Sequence, residues 1–241
     1  MIIHVEMHER DTHAGAIAEY FRLRKTVFHD RLGWDVPVHD DQERDPLDDL
    51  PCTYALSLDR DGAVNAGIRL VPTTQTTLLD LAFDGLVPDA VSFRSPTIWE
   101  LSRYCVDHDL ATDRLPAGLG LATLQLTLAN FDYARRNGIT HFIAVTEERV
   151  FELTNVFDLG AELLARRTID GCRVVCTLFS IDGHALQLAE KFRSLAAPAG
   201  ERAPRAPPLP SCRDARSRAP APAASPQAPG TSAPRRQSPP A

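Results

Sequence analysis

Hydrophobic and polar positions recur with helical or strand periods along the first 195 residues, and the pattern stops there. Residues 2–7 alternate weakly, as a first strand would. Thr12 is of a type that favours helix N-caps, and the spacing after it predicts a helix to about Asp30. Ile17 and Phe21 mark one stripe of that helix, while Tyr20, Arg24 and Phe28 mark another at i, i+4 spacing. Residues 31–50 follow neither period. Residues 53–58 and 63–71 read as strands joined by Asp59-Arg60-Asp61-Gly62, a hairpin turn signal. Residues 78–86 read as a short helix or turn and 97–105 as a strand. An amphipathic helix then runs from Gly118-Leu119-Gly120 to about Asn137, followed by a strand at 139–145 and a helix at 147–159 stopped at Gly160. A final hairpin turns at Asp170-Gly171, with its second strand at 174–181, and a terminal helix reaches about Leu195. Hairpin strands followed by strand–helix alternation predict an α/β (α+β) domain with a mixed sheet.

Composition divides the chain at the same place. Pro, Ala and Arg dominate residues 196–241, which have little to bury against the entropy of ordering and are expected to be a disordered, dispensable tail. Seven arginines against Glu201 and Asp214 make this tail +5, so the net charge of −6 leaves residues 1–195 at −11. An acidic domain of that size supports a real core and argues against a nucleic-acid partner. The five cysteines show no metal-ligand spacing; Cys172 and Cys176, four apart on a strand, read as core filler rather than a zinc site. The expectation is no metal, no cofactor, no membrane insertion and a cytoplasmic location, since no signal-like or 18-residue apolar run is present.

The candidate chemistry centres on TIWELSRYC at residues 97–105, which sets Glu100 and Arg103 in an otherwise apolar strand. An unpaired charge taken out of water costs several kcal/mol or more, so both need partners unless they form a surface pair. Residues three apart on a regular strand face opposite sides. For both charges to serve one cleft, the strand must bulge or twist sharply between them. A second guanidinium, Arg69, sits in the strand at 63–71, and Arg24 shares a helix face with two aromatics. Between them lies RLGWDVPVHDDQERDPLDDL at 31–50, a long loop with Trp34 and a run of acids that includes Asp40, Asp41, Glu43, Asp45, Asp48 and Asp49. Loops of such length are usually functional or disordered.

Taken together, Arg24, Phe28, Trp34, Asp45, Asp48, Arg69, Glu100 and Arg103 give the chain a close resemblance to the acyl-homoserine-lactone synthases, the autoinducer synthases of bacterial quorum sensing. The motifs that carry it are RLRKTVFHDRLGW at 22–34, ERDPLD at 43–48, GIRLVPT at 67–73 and WELSR at 99–103, and the likeness extends over roughly residues 1–190. It implies a fold similar to the Gcn5-type N-acetyltransferases, a mixed twisted sheet splayed into a V-shaped cleft. It also implies a reaction of S-adenosylmethionine with an acyl thioester, carried by an acyl carrier protein or by coenzyme A, that releases an N-acyl-homoserine lactone and 5′-methylthioadenosine. By this resemblance Glu100, Asp45 and Arg103 are the catalytic candidates, with Glu100 the first choice of base. Arg24, Phe28, Trp34 and Asp45 are expected to hold S-adenosylmethionine, Arg24 through its carboxylate and the aromatics by stacking. Asp48 with Arg69, and Glu100 with Arg103, are expected to fix the cleft, and Phe142, Ile143 and Thr146 to line the acyl pocket. Two rival readings are a generic coenzyme A-dependent N-acyltransferase, which Gly118-Leu119-Gly120 alone permits, and a non-catalytic homologue that binds S-adenosylmethionine or an acyl thioester.

Overall fold

The structure is a computed structural model that describes residues 1–88, 90–107, 120–156, 160–169, 171–182 and 187. Gly118, the expected terminal helix apart from residue 187, and the tail at 196–241 lie outside the described residues. The strands are β1 (Ile2–Val5), β2 (Val38–His39), β3 (Gln42–Glu43), β4 (Thr53–Leu58), β5 (Val64–Pro72), β6 (Ile98–Val106), β7 (His141–Glu147), β8 (Ala161–Ile169) and β9 (Cys172–Ser180). The helices are α1 (Ala14–Arg24), α2 (Leu78–Ala82), α3 (Leu121–Arg136) and α4 (Glu148–Val156). Seven strands form one sheet in the order β1-β4-β5-β6-β7-β9-β8, and β2 with β3 makes a separate hairpin. All sheet pairs are antiparallel except β6 with β7.

Period-2 patterning sends alternate residues of each central strand into two cores. Ala66, Ile68 and Leu70 of β5, with Trp99 and Leu101 of β6 and Phe142 of β7, pack against α3 through Leu124, Leu128 and Phe131. On the opposite face α1 contributes Ile17, Tyr20, Phe21 and Leu23 against Tyr54, Leu56 and Val71. The predicted first helix keeps its extent, but its N-cap is His13 rather than Thr12, because the chain is already turning at 10–13. Beyond Arg24 it rewinds as a π-helical stretch, Lys25–Arg31, a form frequent at functional sites. The aperiodic acidic segment is also folded. Asp40 and Asp41, with φ of 49° and 61°, make the tight turn of the β2–β3 hairpin, and a 3-10 turn spans Pro46–Asp49.

Two irregularities of β6 position everything that follows. Ser102 pairs with Arg69 and Cys105 with Gly67, so Arg103 and Tyr104 stand opposite Ile68 alone. This is the bulge that the placement of Glu100 and Arg103 demanded. Before it, Trp99 and Leu101 face α3; after it, Val106 does, while Cys105 packs with α1. Arg103 absorbs the change at φ 54°, in the left-handed region, and its carbonyl accepts a 2.8 Å hydrogen bond from the Tyr20 hydroxyl. The second irregularity is a parting of strands. Parallel pairing of β6 with β7 runs from Ile98–His141 to Leu101–Ala144 and ends there among the described residues, although both strands continue. The wedge between them is the V-shaped cleft.

Tyr20 reaches Arg103 across Gly67, where an added Cβ would lie 2.5 Å from the tyrosine ring. Gly67→Ala is expected to lower stability by about 1–3 kcal/mol in urea unfolding. Gly15→Ala, at a helical site with nothing within 4 Å, is expected to be neutral or to stabilise by up to about 1 kcal/mol.

Candidate active site

On the α1 face, three guanidiniums meet three carboxylates. Arg24, brought inward by the Tyr20–Arg24–Phe28 stripe, is wholly buried; its Nη1 and Nη2 donate to both oxygens of Asp48 at 2.8 and 2.9 Å, and its Nε donates to Glu43. Arg69, also wholly buried, donates to Asp45 at 2.6 and 2.9 Å, to Asp48 at 2.8 Å and to the Ser102 hydroxyl at 3.2 Å. Arg103, nearer the surface, donates through Nε to Glu43 at 3.1 Å and lies 2.9 Å from Asp45 through Nη2. Bidentate pairs of this kind are the strong ones, and each charge here is matched.

The acidic loop is built to present these carboxylates. Asp45 caps the Pro46–Asp49 turn by accepting the Leu47 N–H, and Asp48 accepts the Asp45 N–H at 2.8 Å, so the two acids orient each other. Pro46 stands at the first helical position, where its missing N–H is harmless. Arg10 holds the far end by donating to the carbonyls of Asp48, Leu50 and Cys52. The Tyr54 hydroxyl adds a 2.9 Å bond to Asp48. Burial alone would raise the Asp48 carboxyl, but the charges of Arg24 and Arg69 hold it well below the usual carboxylate range. The same opposition, won by Arg69 and Arg103, lowers Asp45.

Several expected roles change in this geometry. The expected Asp48–Arg69 pair is present, but Glu100 and Arg103 do not pair. Glu100, buried on the face opposite Trp99, accepts the backbone N–H groups of Leu78 and Leu79 at 2.9 and 2.8 Å and so anchors the start of α2. Burial raises its carboxyl above the ordinary range despite those two bonds. Arg103 turns instead to Glu43 and Asp45, which approach from the N-terminal loop. Arg24 is spent on Glu43 and Asp48 and has no exposed face for a substrate carboxylate. Phe28 is likewise enclosed, stacked on Trp34 at 5.2 Å with the Arg103 guanidinium 5.6 Å from its ring centre. Trp34, at 40% exposure, keeps a surface open to a ligand. Phe142 and Ile143 pack in different cores, so they cannot line one wall; Thr146 shares the Phe142 face by parity. Glu43, Tyr20, Tyr54 and Ser102 hold the site, although the sequence assigned none of them a role there. For Glu43 the signal was its place at the head of ERDPLD.

Removing the Asp48 carboxylate leaves one uncompensated positive charge in the buried cluster and takes a partner from both Arg24 and Arg69. Asp48→Asn is expected to cost about 3–5 kcal/mol in denaturant unfolding at neutral pH. Because the folded-state carboxyl is depressed, its stabilisation is complete above the unfolded value near 4 and is lost as pH falls through the lower folded value. The gap between wild type and Asp48→Asn is therefore expected to narrow in the same unfolding measurement as pH falls below about 4.

The chain is similar to known proteins over most of its described residues. The family model for the autoinducer synthases matches residues 8–155. The acyl-homoserine-lactone synthase of Agrobacterium fabrum is 31% identical over 148 residues, covering 61% of this chain and 70% of that protein. Among solved structures, the AHL synthase LasI superposes with a TM-score of 0.68 at 27% identity, over 79% of this chain and 94% of the other. TofI, solved in a ternary complex with an inhibitor and MTA, gives a TM-score of 0.62 at 29% identity over 73% and 90%. A family match over residues 8–155, which carry α1, the acidic loop and the bulged β6, shows that the chain belongs to the autoinducer synthase family.

Proposed function

We propose that the protein is an acyl-homoserine-lactone synthase, an acyltransferase that acylates S-adenosylmethionine from an acyl thioester and closes the product to a lactone. The observation that carries the reading is the matched cluster of arginines and acids beside the wedge. It leaves Trp34, Asp45 and Arg103 at its outer edge and Glu100 on the same face of β6.

Acylation requires the neutral amine of S-adenosylmethionine. In this reading Glu100 takes a proton from the ammonium through water, since its carboxylate is buried beside the start of α2. The raised carboxyl makes it a stronger base than an exposed glutamate. The amine attacks the thioester carbonyl, and the oxyanion forms at the wedge where the β6–β7 pairing ends among the described residues. Collapse expels the thiol of the carrier and leaves an amide. The carboxylate of the same molecule then displaces the sulfonium at the adjacent carbon, so that a C–O bond forms, the C–S bond breaks and 5′-methylthioadenosine departs. The sulfonium is a good leaving group, and the protein's task is to hold the folded conformer. Trp34 supplies a face for the adenine or the sulfonium, a cation–π contact being worth about 0.5–2 kcal/mol. The donor is an acyl carrier protein or coenzyme A thioester.

The test is to incubate the protein with labelled S-adenosylmethionine and a panel of both donor types and to measure lactone and methylthioadenosine. Equal amounts of the two are expected. Acyl amide without lactone would favour a generic N-acyltransferase, and binding without product a non-catalytic homologue. In the same assay Glu100→Gln is expected to lose about 100-fold or more of turnover while keeping its circular dichroism spectrum. Near-normal rates would remove Glu100 from the role of base.

A further inference from the structure

Arg103 is held from two sides, and both holds come from α1. Its side chain is tied to Arg24 through a shared carboxylate, since Glu43 accepts the Nε–H of each arginine. Its backbone is tied to Tyr20, one turn before Arg24, whose hydroxyl donates to the Arg103 carbonyl at 2.8 Å. Tyr20 is wholly buried, so it meets no substrate itself. Burial also raises its hydroxyl well above the ordinary range, and it therefore keeps its hydrogen and acts as a donor.

The carbonyl that Tyr20 serves belongs to the bulged residue, which has no partner in the β5–β6 ladder. A bulge displaced by one residue would turn Arg103 toward the α3 core, because neighbouring strand residues face opposite sides. Tyr20 reaches this carbonyl because Gly67, the ladder partner of Cys105, leaves room for its ring. The outcome is read at the other end of Arg103. Its Nη2 lies 2.9 Å from Asp45, and its guanidinium lies 5.6 Å from the ring of Phe28, which stacks on the exposed Trp34. In the reading above, Asp45, Trp34 and Arg103 form the edge that receives S-adenosylmethionine. We infer that Tyr20 is a positioning residue of the synthase, fixing the bulge so that Arg103 meets Asp45 and the Phe28–Trp34 stack, and so setting the affinity for S-adenosylmethionine without touching it. Tyr20 acts through Arg103, and its contribution vanishes when the Arg103 side chain is removed.

This inference rests on the synthase reading above, and one experiment separates the two. The Kd of S-adenosylmethionine is measured by calorimetry for wild type, Tyr20→Phe, Arg103→Ala and the double variant, beside an assay of lactone formation by wild type. Phe keeps the ring over Gly67 and removes only the hydroxyl. The Kd is expected to rise about tenfold in Tyr20→Phe, as loss of one hydrogen bond implies. In the Arg103→Ala background the same change is expected to add less than about twofold, since residues that act through one another are not additive. A Kd unchanged by Tyr20→Phe, or weakened by the same factor with and without the Arg103 side chain, would overturn the positioning role and leave the synthase reading standing. Wild type that makes no lactone from any donor overturns both. If Tyr20→Phe does not fold, Gly67→Ala displaces the same hydroxyl and is read by the same pair of affinities.

Discussion

The fold depends on a bargain in the buried electrostatics: three guanidiniums and three carboxylates removed from water together. Arg24, Arg69 and Arg103 meet Glu43, Asp45 and Asp48, and the first two arginines are wholly buried. Each such charge is expensive to desolvate, and mutual attraction offsets that only when geometry is good and every donor is used. The cluster therefore tolerates few arrangements. It ties α1, the acidic loop, β5 and β6 into one body, adding charge pairing to the apolar packing that already holds α1 on the sheet.

The bulge in β6 belongs to the same constraint. A regular strand would turn Arg103 toward α3, into an apolar core. One extra residue returns it to the charged face, at the cost of left-handed backbone worth about 1–2 kcal/mol. The Tyr20 hydrogen bond to the Arg103 carbonyl and the ion pairs with Glu43 and Asp45 hold it there. Among the described residues the same stretch of β6 has parted from β7, so the left-handed backbone of Arg103 borders the wedge.

Much of this was legible in the residues. The hairpin at 59–62, the strand at 97–105 and the long helix after Gly120 all have local causes, and their extents are close to those observed. The need for a bulge followed from parity alone. What was not legible was partner choice. Six acids crowd residues 40–49, and nothing local says that Glu43, rather than Glu100, takes Arg103. Glu100 was instead claimed by the start of α2, whose first two N–H groups it accepts beside the capping box of Thr77 and Asp80. Arg24 and Phe28 were placed on the correct face, but depth is decided by what packs above them, and Trp34 and the acidic loop cover both. Adjacent strand residues such as Phe142 and Ile143 point to opposite faces, and only the sheet order reveals that both faces are filled cores.

The most direct measurement is a crystal structure of the protein bound to 5′-methylthioadenosine. The expected result has the adenine against Trp34, above the Phe28–Arg103 stack, with the sulfur directed to the wedge of β6 and β7 and the cluster of arginines and acids intact beneath. A nucleoside bound away from Trp34 and the wedge, or a cluster opened so that Arg24 touches the ligand, would contradict the account.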